Sequence, residues 1–77
     1  MILVDKSGHL VSDCSVDELH FFADRIGLKR HWFQNKKFPH YDLKGVMMQR
    51  ALVKGAVMVT SKELVARGVR RTVVNEG

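Results

Sequence analysis

The sequence is poor in several features that define whole classes of small protein. One cysteine, Cys14, excludes an intramolecular disulfide framework and a cysteine-based zinc site. The apolar run at residues 1–4 ends at Asp5 and is much shorter than a signal-peptide core or a membrane span. The six glycines are scattered, so no glycine-rich phosphate loop is present. We therefore expect a cytoplasmic protein without a membrane partner.

Acidic residues are also few. Eight Asp and Glu stand against 13 Lys and Arg, which gives a formal net charge of +5. This excess favours anionic partners by electrostatics, although many small soluble domains are equally basic without binding nucleic acid. A chain of 77 residues can bury only a small core, so we also expect a homo-oligomer.

Three short apolar runs predict β-strands. Residues 1–4 and 9–12 flank a turn that contains Gly8, which predicts a hairpin. Residues 56–60, AVMVT, form a continuous apolar run too short for a helix and are predicted to be the central strand. Asp5, after the first run, is either a turn residue that bonds its own backbone or a polar group at the mouth of a cleft.

The clearest helix signal begins at Ser15. Ser15 and Glu18 have the spacing of a capping box, in which the serine oxygen accepts the Glu18 N–H and the glutamate reaches back to the Ser15 N–H. Apolar residues follow at helical spacing, and Gly27 can end the helix in a left-handed conformation. We predict a helix from about Val16 to Ile26.

Two further helices are predicted in the second half of the chain. Asp42 is a natural N-cap for a long helix, and Thr60 with Glu63 forms a second capping box that opens a short helix. Residues 69–77 are either a short edge strand or a tail that becomes loose from about residue 72. The prediction is a single α+β domain over residues 1–77, with a sheet of two or three short strands covered by two main helices and a short C-terminal helix.

The chemically richest stretch is residues 31–42, HWFQNKKFPHYD. It holds the only Trp, the only Tyr and the only Pro of the chain, and two of the four His. This concentration of aromatic, basic and hydrogen-bonding side chains between two predicted helices favours a functional site over a connecting loop.

The leading functional hypothesis is a binding module for a phosphate-bearing small molecule, with a nucleotide as the first candidate. Trp32 or Tyr41 would stack on the base, and His40 with Asp42 would hydrogen-bond its polar edges. Arg50 interrupts an apolar helical stripe and would hold phosphate, although a structural ion pair explains it as well, and Trp32 suits a core as well as a site. The basic side chains assigned to phosphate are Arg25, Lys36 and Arg50.

The second hypothesis is a metal-dependent hydrolase or nuclease. His20 and Asp24 are four residues apart and share one helix face, where they could ligate a metal or form a surface hydrogen bond. With His40 and Asp42, and with Asp5 as a further ligand, they form a set of imidazoles and carboxylates that suits zinc, manganese or iron. A divalent metal is thus the one cofactor that these residues suggest.

Two other classes of partner stay open. A nucleic-acid backbone would be bound by basic side chains, with affinity that falls steeply as salt rises. These side chains are Lys29, Arg30, Lys36, Lys37, Arg67, Arg70 and Arg71. A protein partner would instead contact the apolar residues Met47, Met48, Val73 and Val74.

Three stretches of the chain, DELHFFADRIGLKRHWFQ, HYDL and QRALVKGAVMVT, resemble the DUF4031 family of short bacterial and phage proteins, a domain of unknown function. The likeness covers about residues 16–61, and the chain departs from the family in a shorter segment between the first strand and the first helix. The resemblance implies no activity, but it adds Gln34 to the ligand-binding residues, and a phage context would suit a ligand sponge against host defence. The polar positions that it singles out are Asp5, His20, Asp24, Arg25, Trp32, Gln34, His40, Tyr41, Asp42 and Arg50.

Overall fold

The computed structural model describes residues 1–70. Four strands form one sheet: β1 (Ile2–Val4), β2 (His9–Ser12), β3 (Tyr41–Asp42) and β4 (Val57–Met58). Within these residues three α-helices accompany them, α1 (Val16–Ile26), α2 (Val46–Val53) and α3 (Ser61–Arg67), together with a 3-10 turn at Arg30–Trp32. The strand order is β3-β2-β1-β4, with β4 parallel to β1 and the other two pairings antiparallel. The α+β class is confirmed, with one strand more than expected.

The predicted hairpin is formed by β1 and β2, and its turn also positions β3. Gly8 has a φ of 90° and donates its N–H to the Asp5 carbonyl oxygen at 3.0 Å. The Gly8 carbonyl oxygen then accepts the Leu43 N–H at 2.7 Å. The turn therefore fixes the residues that follow β3 as well as the two arms of the hairpin.

The sheet carries helices on both faces. Alternate residues of a strand point to opposite faces, and here Val4 and Leu10 belong to the larger core cluster with α1 and α2. Leu3 and Val11 belong to a second cluster, which Leu64 of α3 completes. Because both faces are covered, β1 is buried along its whole length.

Both predicted helix caps are present, but one differs in detail. Ser15 accepts the Glu18 N–H at 3.0 Å, and Thr60 accepts the Glu63 N–H at 3.0 Å. The reciprocal half of the first capping box is absent, because the Ser15 N–H donates to the Ser12 hydroxyl at 3.1 Å. The Ser12 hydroxyl in turn hydrogen-bonds the Glu18 carboxylate, so the glutamate reaches the cap through a second serine.

Two predictions about the second half of the chain were wrong. Asp42 lies in β3 and is not an N-cap; α2 begins only at Val46, with Gly45 before it. Within residues 1–70 the AVMVT run is at the edge of the sheet instead of its centre, since β4 pairs there only with β1 and both its side chains are exposed. An apolar run signals burial, but the order of strands depends on pairing that the run itself does not encode.

The C-terminal predictions fall partly beyond the structure. Most of the stretch predicted to be an edge strand or a loose tail, with Arg71, Val73 and Val74, lies outside the described residues 1–70. Within that range, no helix is long and apolar enough to cross a membrane.

A histidine of α1 contacts the only tyrosine of the chain inside the larger core. The Tyr41 side chain is fully buried, and its hydroxyl lies 2.8 Å from Nδ1 of His20. The Phe33 ring packs edge-on against His20, with the ring centroids 4.4 Å apart. Burial, helped by the positive charge of Arg30, lowers the pKa of His20 below the usual 6.5, whereas the more weakly acting Asp17 and Asp24 raise it.

We expect the free energy of unfolding to depend on pH through His20. His20 binds a proton near pH 6.5 in the unfolded chain and only at lower pH in the folded chain. The contribution of neutral His20 to stability is therefore complete above pH 6.5 and is lost as pH falls through the folded-state pKa. Urea unfolding between pH 5 and 8 should therefore show a smaller loss of stability on acidification in His20→Asn than in the parent chain. His31→Asn, at an exposed position, is the control. Equal pH dependence in His20→Asn and the parent chain would contradict the assignment.

Gly8→Ala should strongly destabilise the fold. A Cβ at residue 8 would lie 2.5 Å from the Leu43 carbonyl oxygen, whereas a Cβ at Gly55, also at positive φ, would meet nothing within 4 Å. Gly55→Ala then measures the backbone cost alone, about 1–3 kcal/mol, and Gly8→Ala should cost clearly more in urea unfolding. Equal losses of unfolding free energy in the two variants would show that the turn rearranges to accommodate the added methyl group.

Candidate metal centre

Two strands bring two histidines and an aspartate to one face of the sheet. His40 and Asp42 are two residues apart on an extended segment, so their side chains point the same way, opposite to Tyr41. In the register of β2 and β3, His9 is directly opposite Asp42. Side chains that face each other across a strand pair are close neighbours. The cluster of His9, His40 and Asp42 is thus a direct product of sheet pairing.

The distances in this three-residue cluster suit a metal ion. His40 Nε2 lies 3.5 Å and His9 Nε2 lies 4.0 Å from Asp42 Oδ1. One ligand atom from each of the three residues falls within 4.8 Å of the others. Donor atoms bound to a tetrahedral zinc ion stand about 3.3 Å apart, as its bond lengths require. A small inward movement of the side chains would therefore complete a three-ligand site.

Both imidazoles are oriented by a hydrogen bond at Nδ1, the ring nitrogen that faces away from Asp42. His40 Nδ1 lies 2.8 Å from the Phe38 carbonyl oxygen, and His9 Nδ1 lies 3.0 Å from Asp5 Oδ2. A carbonyl oxygen and an ionised carboxylate can only accept, so each Nδ1 carries a proton, and in the neutral form of each ring Nε2 is the nitrogen with the lone pair. Histidines that bind metals are usually oriented in this way, through a hydrogen bond from the other ring nitrogen.

Asp5 orients His9 from a buried position. Its carboxylate accepts the His9 N–H at 3.0 Å and the Ser61 hydroxyl at 2.9 Å, in addition to the His9 ring. Burial by itself raises the pKa of the Asp5 carboxyl, but the hydrogen bonds from His9 and Ser61 outweigh it and lower the pKa below the usual 3.8. Asp5 was expected to be a further metal ligand. Instead it lies outside the cluster, and its ionised carboxylate accepts a hydrogen bond from the ligand His9.

A groove adjoins the cluster on each side. The larger one, about 510 Å³, contains Asp42 in its wall, and the smaller one, about 220 Å³, contains Asp5, His9 and His40. The rest of the smaller groove is mostly apolar, and consists of Val11, Phe38, Ser61, Leu64 and Val65. The rest of the larger groove consists of Leu28, His31, Trp32, Gln34, Lys44 and Met47.

The structure brings together only part of the predicted metal set. His40 and Asp42 are neighbours, but His20 is hydrogen-bonded to Tyr41 in the core and Asp24 is exposed on α1. His9 takes the place expected for these two residues. Its signal in the sequence was its position in the second arm of the hairpin, but nothing local indicates that β3 pairs with that arm.

The predicted ligand-binding residues also divide into two groups. Trp32 and Gln34 line the larger groove next to Asp42, and Trp32 is 42% exposed. Tyr41 is buried and has no free face, so the expectation that it stacks on a base does not hold in this fold. The reason is strand alternation, which turns Tyr41 inward wherever its two neighbours face outward.

The basic side chains expected to hold phosphate lie elsewhere. Arg50 donates from Nη1 to the Ile26 carbonyl oxygen at 3.0 Å, at the C-terminal end of α1. The Arg25 guanidinium lies over the Phe21 ring at 5.8 Å, and Lys36 is exposed outside both grooves. Lys44, which the sequence did not single out, is the basic residue in the wall of the larger groove.

The C-terminal basic cluster is partly neutralised within the chain. Arg67 forms ion pairs with Glu63 at 2.7 Å and with Asp13 at 3.3 Å. The Arg70 guanidinium lies over the Phe38 ring, 5.4 Å from its centroid. The prediction that these arginines bind a nucleic-acid backbone stays a prediction.

Comparison with known proteins identifies a family. No curated protein and no solved structure is significantly similar to the chain. Residues 4–71 match the family described as protein of unknown function (DUF4031), a span that includes Asp5, His9, His40 and Asp42. The resemblance noted from the sequence therefore extends over most of the chain, and the protein belongs to the DUF4031 family.

Proposed function

We propose that the protein binds a divalent transition-metal ion through His9, His40 and Asp42 and uses it to hydrolyse a phosphate ester. The supporting observation is that two imidazoles, each with Nδ1 hydrogen-bonded from behind, direct Nε2 toward one carboxylate. Two histidines and one carboxylate form a ligand set found in catalytic zinc sites, where open positions remain for water and substrate.

The reaction follows from that ligand set. An ion held by His9, His40 and Asp42 would act as a Lewis acid, which lowers the pKa of bound water to about 7 and draws charge from a phosphoryl oxygen. The water oxygen adds to phosphorus, the ester P–O bond breaks, and a proton of the water leaves with the alcohol. Asp5 keeps the His9 ring in one tautomer and one orientation throughout.

An anionic substrate suits the charge of the chain. The net charge is +5, and Lys44 lies in the groove that Asp42 borders. Positive potential beside a metal centre raises the local concentration of phosphate compounds. With one exposed cysteine and no disulfide, we place this reaction in the cytoplasm.

Metal binding is the first test. Isothermal titration of chelator-treated protein with Zn²⁺, Mn²⁺ and Co²⁺ should give one equivalent for at least one ion, because three donors are already close together. His40→Ala and Asp42→Ala should weaken that binding by roughly 100-fold or more, since each removes a direct ligand. His31→Ala, at an exposed imidazole outside the cluster, should bind like the parent chain. Binding that survives both ligand substitutions would place the ion elsewhere.

The positioning role of Asp5 is tested separately. Asp5→Asn removes the charge that holds His9, so the affinity for the metal should fall by roughly 10- to 100-fold while the ligands stay in place. Asp13→Asn makes the same chemical change in a carboxylate outside the cluster and should leave the metal affinity unchanged. Circular dichroism of each variant shows whether the fold is kept, and unchanged affinity in folded Asp5→Asn would remove Asp5 from the site.

Turnover is tested on metal-loaded protein. Release of alcohol or phosphate from aryl phosphate monoesters and diesters, from nucleotides and from short oligonucleotides should depend on the ion and should be lost in Asp42→Ala. Cleavage of the oligonucleotides would mark a nuclease. A stoichiometric metal complex that hydrolyses none of these would contradict the hydrolase and leave a metal-containing binding protein.

A further inference from the structure

The larger groove shares one residue, Asp42, with the proposed metal centre. Asp42 is a member of the three-residue cluster and also part of the groove wall. A ligand in this groove can therefore contact the ion at one end while it occupies the groove with the rest of its surface. The volume of about 510 Å³ falls in the usual range for small-molecule sites, about 300–1,000 Å³.

The groove offers an aromatic face. Trp32 is 42% exposed although tryptophan is usually well covered in a folded domain. Its backbone is held by the 3-10 turn, in which the Trp32 N–H donates to the Lys29 carbonyl oxygen at 2.9 Å. The His31 ring packs edge-on against the indole, 5.9 Å away. A positioned, exposed indole is a platform on which a planar base can stack.

The groove also offers a positive charge, Lys44, in the same wall as Asp42. Lys44 lies two residues after Asp42 and is exposed. Lys44 takes part in none of the ion pairs formed within residues 1–70. Its ammonium is therefore available to an anionic group that also reaches Asp42 and the metal.

From this arrangement we infer that the larger groove binds a nucleoside phosphate, with its base on Trp32 and its phosphate between Lys44 and the metal at Asp42. The inference rests on the proposed hydrolase and names its substrate class. Leu28 and Met47 supply apolar surface in the groove, and Gln34 in its wall carries an amide that can hydrogen-bond a polar edge of the base. The smaller groove is mostly apolar and suits the phosphate poorly.

Intrinsic fluorescence gives a direct test, because Trp32 is the only tryptophan of the chain. Titration of zinc-loaded protein with AMP should quench the emission. Adenosine lacks the phosphate, and ribose 5-phosphate and inorganic phosphate lack the base, so each should bind at least tenfold more weakly than AMP. Equal affinity for AMP and inorganic phosphate would overturn the inference.

Variants assign the two contacts by isothermal titration with AMP. Trp32→Leu should lose roughly tenfold or more in affinity, as expected for the loss of one stacked base, and Lys44→Met should lose a similar factor. Lys62→Met removes an exposed lysine that lies outside the groove and should bind AMP like the parent chain. AMP affinity that is the same in Trp32→Leu, Lys44→Met and the parent chain would overturn the inference.

Zinc titrations of the same variants separate this inference from the proposed function. Trp32→Leu and Lys44→Met should bind zinc like the parent chain, because neither residue is in the metal cluster. Zinc uptake without AMP binding overturns the nucleotide groove and leaves the metal centre. AMP binding through Trp32 and Lys44 without zinc uptake supports these two contacts but overturns both the metal contact of the phosphate and the hydrolase. Salt-dependent binding of single-stranded DNA with no response to AMP overturns the groove in favour of a nucleic-acid surface.

Discussion

The double hydrogen bond between Asp5 and His9 is the contact on which the site depends. Asp5 follows β1 and His9 begins β2, so the same carboxylate that accepts the His9 N–H across the turn also fixes the His9 ring. Ser61 donates to that carboxylate and ties α3 to the turn. A buried carboxylate is stable only when its oxygens are hydrogen-bonded. The Asp5 carboxylate therefore determines both how β1, β2 and α3 pack together and how the His9 imidazole is oriented.

Strand alternation then separates the core from the candidate site. Tyr41 points inward, where its hydroxyl meets His20, while His40 and Asp42 on either side point to the opposite face. A shift of β3 by one residue would exchange these roles and bury charge in the core. The large apolar area that Tyr41 buries thus also determines where the two polar side chains lie.

Local signals in the sequence predicted the elements well. The hairpin, the bounds of α1 and the serine and threonine caps are confirmed, because each depends on hydrogen bonds between residues close in the chain. The prediction for Asp42 was wrong because an aspartate that could cap a helix also fits the end of a strand. Arg50 was predicted to contact a ligand, but the end of α1 offers it a carbonyl oxygen that the residues near Arg50 do not reveal.

By itself, the sequence determined the α+β class, the caps, the positive charge and the concentration of functional side chains in residues 31–42. It also set His40 and Asp42 at the spacing that puts both on one face of an extended segment. Only the tertiary structure decided that His9 joins them, that Tyr41 and His20 are held in the core, and that Lys44 and not Arg50 borders the groove. The physical reason is that strand pairing and burial depend on contacts between residues far apart in the chain, whereas caps and turns depend on near neighbours.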